Sequence, residues 1–208
     1  MTKSNRVSEA VIRRLPRYLR HLVSLNEQGV VRISSSELAK RMRLNASQIR
    51  QDFNCFGGFG QQGYGYHVPT LCDEVKRIIT RSTERSAVVV GAGHIGQALC
   101  NFKGFAGQCV FIKALFDVRP ELIGQEINGK PVLNVSQLQS YIKDMRIDIG
   151  ILTTTRAPAQ GLVDQMVEAG VKGIWNFAPL DITASVPVED VHMSDNLAVL
   201  VFRIGQQE

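Results

Sequence analysis

The chain has 208 residues, of which 44% are hydrophobic and 21% are charged, and its formal net charge is +5. This composition is ordinary for a globular protein with room for one large domain or two modest ones. No apolar stretch reaches the roughly 18 residues that a membrane helix needs, and no apolar segment follows the first residues as in a secretion signal. We therefore expect a cytoplasmic protein with no membrane partner.

The charge is distributed unevenly between the two halves of the chain. Residues 1–85 carry 15 Lys and Arg against 7 Asp and Glu, a net charge of +8. Residues 86–208 carry 9 against 12, a net charge of −3. This asymmetry indicates that only the first half meets a polyanion such as DNA.

The first predicted element is a long amphipathic helix from Ser8 to Gly29, where apolar residues recur at helical spacing. Pro16 lies inside this pattern and is expected to bend the helix unless the helix starts at it. Arginines crowd the polar positions, and we expect Arg14 and Arg17 to contact DNA phosphates. A charge run of this kind is usually a solvated face, so the neighbouring elements have to support the assignment.

A helix-turn-helix follows. Ser34 and Glu37 have the spacing of a capping box that opens a short helix over residues 37–42. A turn at residues 44–45 leads to a second short helix over residues 46–53, which is expected to enter the major groove. The outward-facing residues of this second helix, predicted to reach base edges or phosphates, are Ser47, Gln48, Arg50 and Gln51.

Glycines alternate with aromatic residues over residues 56–66. This pattern predicts a tight β-hairpin, the wing of a winged helix, with Gly60, Gln61 and Gln62 contacting DNA. A glycine-rich linker is the alternative, although linkers seldom contain so many aromatic residues. A helix over residues 69–81 then leads to the second half of the chain.

A dinucleotide-binding fingerprint opens the second half. The glycine loop Gly91-Ala92-Gly93-His94-Ile95-Gly96 lies between a β-branched run at residues 87–90 and a helical pattern at 97–102. The first glycine makes the tight turn, the second lets the backbone approach a pyrophosphate, and the third lets the helix pack on the sheet. Asp117 follows 21 residues beyond Gly96 and is expected to accept the ribose hydroxyls. A tight turn with no ligand is the alternative.

Further strand–helix units predict an α/β sheet, with strands at residues 148–153 and 171–177 and a helix at 158–169. Because ligands bind at the carboxyl ends of such strands, we expect the residues there to lie near the cofactor. The strand-end residues expected to contact the cofactor are Thr153, Thr154, Asn176, Phe177, Ala178 and Pro179.

Residues 196–204 are apolar on almost every side. A helix of that kind has to be buried all round, which predicts burial between the subunits of a homodimer by exchange of the element. An interior strand of the same domain is the alternative. The four cysteines have neither C-x-x-C spacing nor a histidine cluster nearby, so no metal site is expected.

Taken together, these residues resemble the Rex family, bacterial repressors that sense the balance of NADH and NAD+. The resemblance covers nearly the whole chain and rests on residues 48–52, the segment 56–66, the glycine loop, Phe116-Asp117, Ala159-Gln160 and residues 176–179. It implies a homodimer on a pseudo-palindromic operator, with release when NADH binds. It also implies a winged helix-turn-helix domain (1–82), a Rossmann domain (83–192) and an exchanged C-terminal helix (193–208). A link between Arg20 and Asp195 is implied as well, for which an ordinary surface ion pair is the alternative.

Three residues depart from the usual family pattern. Gln51 replaces a lysine in the recognition helix, which predicts a preference for adenine over guanine at one base pair. The pair Gln61-Gln62 replaces basic residues of the wing and should lower the salt dependence of DNA binding. Phe102 replaces a tyrosine next to the nicotinamide, which removes a hydroxyl from the switch.

The rival interpretation is a small NAD-dependent oxidoreductase with an accessory N-terminal domain. Hydride transfer normally needs a proton donor or acceptor beside the nicotinamide, and the second half has no Tyr-x-x-x-Lys or His–Asp arrangement. We therefore expect no enzymatic activity. Asp117 favours NAD(H) over NADP(H), although Arg119 is close enough in sequence to soften that choice. A CoA-binding protein is a third interpretation, against which a ribose contact at Asp117 argues.

Overall fold

A computed structural model describes residues 7–60 and 64–206. The chain divides into two compact units between Thr83 and Glu84. Among the described residues, no helix is both long enough and apolar enough to cross a membrane. The elements of the first unit are α1 (Glu9–Glu27), β1 (Arg32–Ile33), α2 (Ser35–Met42), α3 (Ala46–Asn54), β2 (Tyr66–His67) and α4 (Val68–Thr80).

Helix α1 runs through Pro16 without ending there. Pro16 is exposed, so water can reach the backbone carbonyl that loses its helical partner. The opposite side of the helix packs into the core of the first unit through Leu15, Tyr18 and Leu22. One long helix thus supports the two short helices that follow.

The predicted helix-turn-helix is present, and local hydrogen bonds fix its turn. The Ser34 hydroxyl accepts from the Glu37 N–H at 3.1 Å, and the Glu37 carboxylate accepts from the Ser34 N–H at 3.1 Å. Arg43 ends α2 in the left-handed conformation, with φ 53°. Asn45 then caps α3 by accepting from the Ser47 N–H at 2.8 Å. The capping box was therefore correctly predicted from sequence.

Residues 61–63 of the hairpin predicted over residues 56–66 lie outside the described residues, and the structure corrects the rest of it. Strand β2 pairs antiparallel with β1, which precedes the helix-turn-helix, and no strand lies within the described residues 56–60 and 64–65. Gly57, Gly58 and Gly65 have positive φ angles, which break an extended conformation. The rings of Phe56, Phe59 and Tyr66 pack on the core, whereas Tyr64 is 70% exposed. The aromatic pattern therefore reflects the burial of three rings and not the two faces of a hairpin.

The second unit is a seven-stranded sheet with the strand order β5-β6-β4-β3-β7-β8-β9. All neighbours pair in parallel except β5 with β6, which are antiparallel. Helices cover both faces, with α6 and α7 on one and α5 on the other. The strands are β3 (Arg85–Val90), β4 (Val110–Asp117), β5 (Glu126–Ile127), β6 (Lys130–Asn134), β7 (Ile149–Leu152), β8 (Gly173–Asn176) and β9 (Val188–Asp190). The helices are α5 (His94–Asn101), α6 (Leu138–Met145), α7 (Arg156–Ala169) and α8 (Met193–Gly205).

The strand order reverses direction next to β3, because β4 lies on one side of it and β7 on the other. This reversal opens a crevice at the carboxyl ends of β3 and β7, where ligands bind in doubly wound sheets. The chain therefore has the α/β fold predicted from its sequence.

Helix α8 has no buried residue. Its apolar side chains are exposed, among them Leu197 at 61%, Val201 at 60% and Phe202 at 67%. The segment is a helix, so the alternative of an interior strand is wrong. The described residues of one chain do not supply the burial that its composition demands.

Candidate dinucleotide site and DNA-binding surface

The glycine loop brings β3, β7 and α5 close together. Gly91 has a φ of 106°, and a Cβ there would lie 2.7 Å from the carbonyl oxygen of Thr153. A Cβ on Gly96 would overlap the carbonyl oxygen of Gly91. Both positions therefore exclude every side chain. A Cβ on Gly93 would meet only the guanidinium of Arg119, at 3.9 Å, so this glycine borders open space.

A cavity of about 650 Å³ lies at the carboxyl ends of β3, β4 and β7. Its volume falls within the range of small-molecule and cofactor sites, about 300–1,000 Å³. Five of the predicted cofactor residues line it: Gly91, Gly93, Asp117, Thr153 and Thr154. Sequence reasoning missed the residues contributed by the loop after β6 and by α7: Val135, Pro158, Gly161, Leu162 and Gln165. The signal for the last four was available, since α7 begins directly after the strand end at Thr153.

Asp117 is the most heavily hydrogen-bonded group in this cavity and is 8% exposed. Its carboxylate accepts from the backbone N–H groups of Ala92, Val118 and Arg119 at 2.7, 2.9 and 2.9 Å. It also accepts twice from the Arg119 guanidinium, each at 3.0 Å. Burial acts to raise the pKa of Asp117, but the hydrogen bonds from Arg119 and Ala92 outweigh it and lower the pKa to about 2. The carboxylate is therefore charged and fixed in position.

The cavity wall also carries an unpaired hydroxyl. The Thr153 hydroxyl donates to the Gly91 carbonyl at 2.7 Å, whereas Thr154 Oγ1 is buried and has no hydrogen-bond partner among the described residues. Leaving a buried polar group unpaired costs about 1–3 kcal/mol, so such a group is suited to a polar ligand. The first N–H groups of α5, which have no acceptor inside the helix, offer further donors at Gly93 and His94. These residues fit a dinucleotide.

Phe102 and Phe177 do not line this cavity. Phe102 ends α5 and is 58% exposed. The two rings are the ends of a row in which Phe102 packs on Phe105 at 5.0 Å, Phe105 on Trp175 at 5.6 Å and Trp175 on Phe177 at 4.6 Å between ring centroids. Sequence reasoning missed Phe105 and Trp175, although Trp175 and Phe177 are two residues apart at a strand end and so share one face.

Three of the predicted cofactor residues are buried, and their contacts with the cofactor stay a prediction. Asn176 is fully buried, and its amide accepts from the Ala178 N–H at 2.9 Å and donates to Leu180 and Asp190 at 2.7 Å. Ala178 is fully buried in the hydrophobic core. Both residues therefore shape the loop after β8, in which Pro179 is exposed. Ala92 is also buried, and its N–H is committed to Asp117.

The structure also brings three potential metal ligands together in the same region, which the sequence did not predict. Side-chain ligand atoms of Asp181, Asp190 and His192 lie within 4.8 Å of one another. His192 Nε2 contacts Asp181 Oδ1 at 2.9 Å, a hydrogen bond that raises the pKa of His192. Asp190 accepts from the Asn176 amide. These mutual contacts account for the arrangement as an ion-pair cluster.

Helix α3 presents the candidate DNA surface. Ser47, Arg50 and Gln51 are exposed, and Arg50 donates to the hydroxyls of Ser35 and Ser47 at 3.0 Å each. Gln48 is half-buried and donates to Asp52 at 3.1 Å. Gly60 is exposed, while Gln61 and Gln62 lie outside the described residues.

Arg14 and Arg17 make contacts that hold the helix-turn-helix in place, and their predicted phosphate contacts stay a prediction. The buried carboxylate of Asp52, 1% exposed, accepts from Arg14 at 2.6 and 2.9 Å and from the Tyr18 hydroxyl at 2.6 Å. Arg17 donates to the carbonyl of Met42 at the end of α2. Sequence reasoning missed Asp52, although it lies between the apolar residues Ile49 and Phe53 on a helix of a basic domain.

The predicted link between Arg20 and Asp195 stays a prediction. Arg20 is exposed on α1 in the first unit. Asp195 is exposed in the first turn of α8 in the second unit, where the Ser194 hydroxyl lies within 3.4 Å of it.

Two family models match the two halves of the chain. One, described as the N-terminus of putative DNA-binding proteins, matches residues 6–54, and one described as a CoA binding domain matches residues 82–180. A curated relative from Clostridium botulinum (strain Alaska E43 / Type E3), named redox-sensing transcriptional repressor Rex, is 44% identical over 209 residues and covers 100% of both chains. A relative of the same name from Thermoanaerobacter pseudethanolicus is 43% identical and covers 100% of this chain and 94% of its own length.

Two solved structures are also similar to this chain over nearly its whole length. The crystal structure of RSP in complex with beta-NAD+ and operator DNA has a TM-score of 0.92 and 44% identity, covering 97% of this chain and 94% of that chain. The crystal structure of RSP in complex with beta-NADH has a TM-score of 0.90 and 41% identity, covering 97% and 96%.

A helix-turn-helix unit joined to a Rossmann-like unit with a dinucleotide-sized cavity defines a ligand-responsive DNA-binding protein. The sequence identities over the whole chain then identify the family. The chain belongs to the Rex family of redox-sensing transcriptional repressors. Because its relatives are named as repressors over their whole length, it is not an enzyme, and the oxidoreductase interpretation is wrong.

Proposed function

We propose that this chain is a repressor that stays on a pseudo-palindromic operator when NADH is low and leaves it when NADH binds the second unit. The observation that carries the proposal is the cavity beside the glycine loop, whose wall combines the fixed carboxylate of Asp117 with the unpaired hydroxyl of Thr154. The other unit of the same chain carries a helix-turn-helix. The relatives with NAD+, NADH and operator DNA support both halves of the proposal.

Within the cavity, different residues bind different parts of the dinucleotide. Asp117 accepts the adenosine ribose hydroxyls, and the N–H groups at the start of α5, from Gly93, His94 and Ile95, hold the pyrophosphate. The Thr154 hydroxyl supplies one further hydrogen bond. A 2′-phosphate would place negative charge against the carboxylate of Asp117, so we expect NAD(H) to bind in preference to NADP(H).

The aromatic row formed by Phe102, Phe105, Trp175 and Phe177 is the proposed nicotinamide end of the site. An apolar surface there disfavours the cationic ring of NAD+ relative to the neutral ring of NADH, because the cation has to lose its hydration. The row begins at the end of α5, the helix whose first turn holds the pyrophosphate. Pro179 is its exposed neighbour on the loop after β8.

On the DNA, α3 lies in the major groove. Ser47, Arg50 and Gln51 reach base edges and phosphates, and Gln48 joins them if it releases Asp52. The segment containing Gly60, Gln61 and Gln62 is proposed to contact the flanking backbone. Because the proposed partner is bacterial operator DNA, the proposal also implies that the protein works in the cytoplasm.

The proposed protein is a homodimer that buries α8 between its subunits. A helix of 13 residues with no buried residue needs an apolar partner, and a second copy supplies the identical helix. Two copies also match the two half-sites of a pseudo-palindrome. Exchange of α8 and a link between Arg20 and Asp195 would let the cofactor site of one unit influence the DNA-binding unit.

The test is a titration of the full chain on a fluorescent operator selected from random duplexes. We expect NADH to release the DNA at concentrations at which NAD+ has little effect. Asp117→Asn should need far more NADH for release while binding DNA normally, and Asp144→Asn, an exposed carboxylate on α6 outside the cavity, should behave as the wild type. DNA binding that ignores both cofactors would refute the proposal.

A further inference from the structure

Asp117 has no acceptor site left for a ribose. A carboxylate offers about four lone-pair sites, and this one receives five donors. Oδ1 accepts from the N–H groups of Val118 and Arg119 at 2.9 Å and from Arg119 Nε at 3.0 Å. Oδ2 accepts from the Ala92 N–H at 2.7 Å and from Arg119 Nη2 at 3.0 Å. A ribose hydroxyl can donate to this group only if one of these donors leaves.

Only the guanidinium can leave without unfolding the site. The three backbone donors belong to the end of β4 and to the glycine loop, and their positions are set by the sheet. The Arg119 side chain is 46% exposed, while that of Asp117 is 7% exposed. Arg119 lines the cavity, and its Nη2 is the atom nearest the Cβ position of Gly93. The guanidinium therefore stands inside the proposed adenosine subsite.

The adenosine ribose can replace the hydrogen-bond donors that the guanidinium supplies to Asp117. Its 2′ and 3′ hydroxyls are two donors on adjacent carbons, and the guanidinium presents two parallel N–H donors to the same carboxylate. Resting on the dinucleotide site proposed above, we infer that Arg119 is a built-in competitor for the ribose subsite, which the cofactor must displace before it binds. The exchange is two donors for two.

This competition lowers the affinities for NADH and NAD+ by the same factor. NADH and NAD+ have the same adenosine ribose and differ only at the nicotinamide, so each has to displace Arg119. Arg119 therefore does not change the preference between NADH and NAD+, but it raises the cofactor concentration at which the repressor responds. The ratio of the two affinities depends on the nicotinamide end alone.

The experiment measures NADH and NAD+ binding to the full-length protein by calorimetry for the wild type, Arg119→Met and Arg119→Lys. A bidentate pair whose arginine is half exposed corresponds to about a five-fold effect, so Arg119→Met should bind both cofactors about five-fold more tightly. Arg119→Lys keeps the positive charge but lacks the bidentate fork, and it should also bind more tightly. Lys143→Met, which removes an exposed charge on α6 away from the cavity, is the control.

A ligand control locates the effect. The 2′-deoxyadenosine analogue of NAD+ replaces only one of the two donors, so the gain from Arg119→Met should be smaller for it than for NAD+. Thermal unfolding checks that each variant is folded. We expect that it is, because Asp117 keeps its three backbone donors.

The outcomes separate the inference from the proposed function. If the wild type binds and responds to NADH but the Arg119 variants bind it no more tightly, or more weakly, the inference is wrong and the proposed function stands. An Arg119→Lys protein that binds like the wild type also refutes it, because the fork would then have no role. If the wild type binds neither cofactor, the proposed function fails and the inference falls with it.

Discussion

The guanidinium of Arg14 on α1 clamps the buried carboxylate of Asp52 on α3, with two hydrogen bonds of 2.6 and 2.9 Å. The two residues are 38 positions apart, and Arg14 remains only 24% exposed. Burial acts to raise the pKa of Asp52, but hydrogen bonds from Arg14, Tyr18 and Gln48 outweigh it and lower the pKa. The recognition helix is thus fixed to α1 by a charged contact inside the core.

Removing this contact should destabilise the DNA-binding unit. Arg14→Ala leaves a buried carboxylate with only the partners Tyr18 and Gln48, and losing one partner of a buried pair costs about 3 kcal/mol. Arg13→Ala breaks an exposed contact with Glu9, in which the two side chains are 65% and 66% exposed, and should cost less than about 0.5 kcal/mol. Urea unfolding followed by circular dichroism compares them. Equal losses for the two variants would show that the Arg14 contact does not stabilise the unit.

The base preference of the operator should depend on Gln51, which is exposed on α3. Glutamine pairs with the N6 and N7 atoms of adenine, while lysine favours the O6 and N7 atoms of guanine, with about 1–3 kcal/mol of discrimination. Gln51→Lys should therefore shift one position of each half-site toward guanine. Selection from random duplexes provides the measurement, and Gln51→Ala is the control for lost contact without a new preference. The same selected site for wild type and Gln51→Lys would contradict this.

The preference for NADH over NADPH should depend on Asp117. Its charge opposes a 2′-phosphate, and in Asp117→Ala the guanidinium of Arg119 loses its partner and becomes available to that phosphate. The ratio of NADPH to NADH affinity should rise by more than about ten-fold, the change expected for about 1.4 kcal/mol. Energy transfer from Trp175, the single tryptophan, to the reduced nicotinamide measures both affinities. An unchanged ratio would place the ribose elsewhere.

The pKa of Asp117 predicts an acid-sensitive contribution to stability. Its folded-state pKa of about 2 lies below the ordinary value of 3.8. The stabilisation is therefore complete above about pH 4 and is lost as the pH falls toward 2, a change of about 2 kcal/mol. Urea unfolding of the wild type and Asp117→Asn between pH 5 and 2, followed by Trp175 fluorescence in the second unit, isolates this group. The wild type should lose more stability than the variant. Parallel curves would mean that the carboxylate has no such advantage in the folded protein.

A charge on α8 should prevent assembly. Phe202 is 67% exposed in one chain, and Phe202→Glu would bury a charge in the proposed interface. We expect a monomer by light scattering and loss of tight operator binding. Lys143→Glu, which changes an exposed residue on α6, should leave the wild-type mass. A dimeric Phe202→Glu protein would show that α8 is not the interface.

The parts of this molecule that were predictable are those encoded within a few residues. The contact between Ser34 and Glu37 and the glycine loop from Gly91 to Gly96 rest on local backbone geometry, so their spacing is visible in the sequence. The contact between Arg14 and Asp52 depends on how two helices pack and has no local pattern. For the same reason the rings of Phe105 and Trp175, 70 positions apart, could not be paired from sequence.

The pattern of residues 56–66 was misleading for a different reason. Alternation with a period of two is typical of a strand with one buried face, but the five glycines of this segment allow turns as readily as extension. The aromatic rings decided the outcome, because Phe59 and Tyr66 both pack on Phe53. Burial of the rings therefore outweighed the strand pattern.

The exposed apolar surface of α8 has a consequence for the abundance of the protein. If two copies must meet to cover this helix, folding becomes a second-order process, and the melting temperature rises with protein concentration. Newly made chains would then be vulnerable to proteolysis until each finds a partner. At a low rate of synthesis, a larger fraction of the chains would be degraded before they dimerise. The amount of intact repressor would therefore fall more steeply than the rate of synthesis.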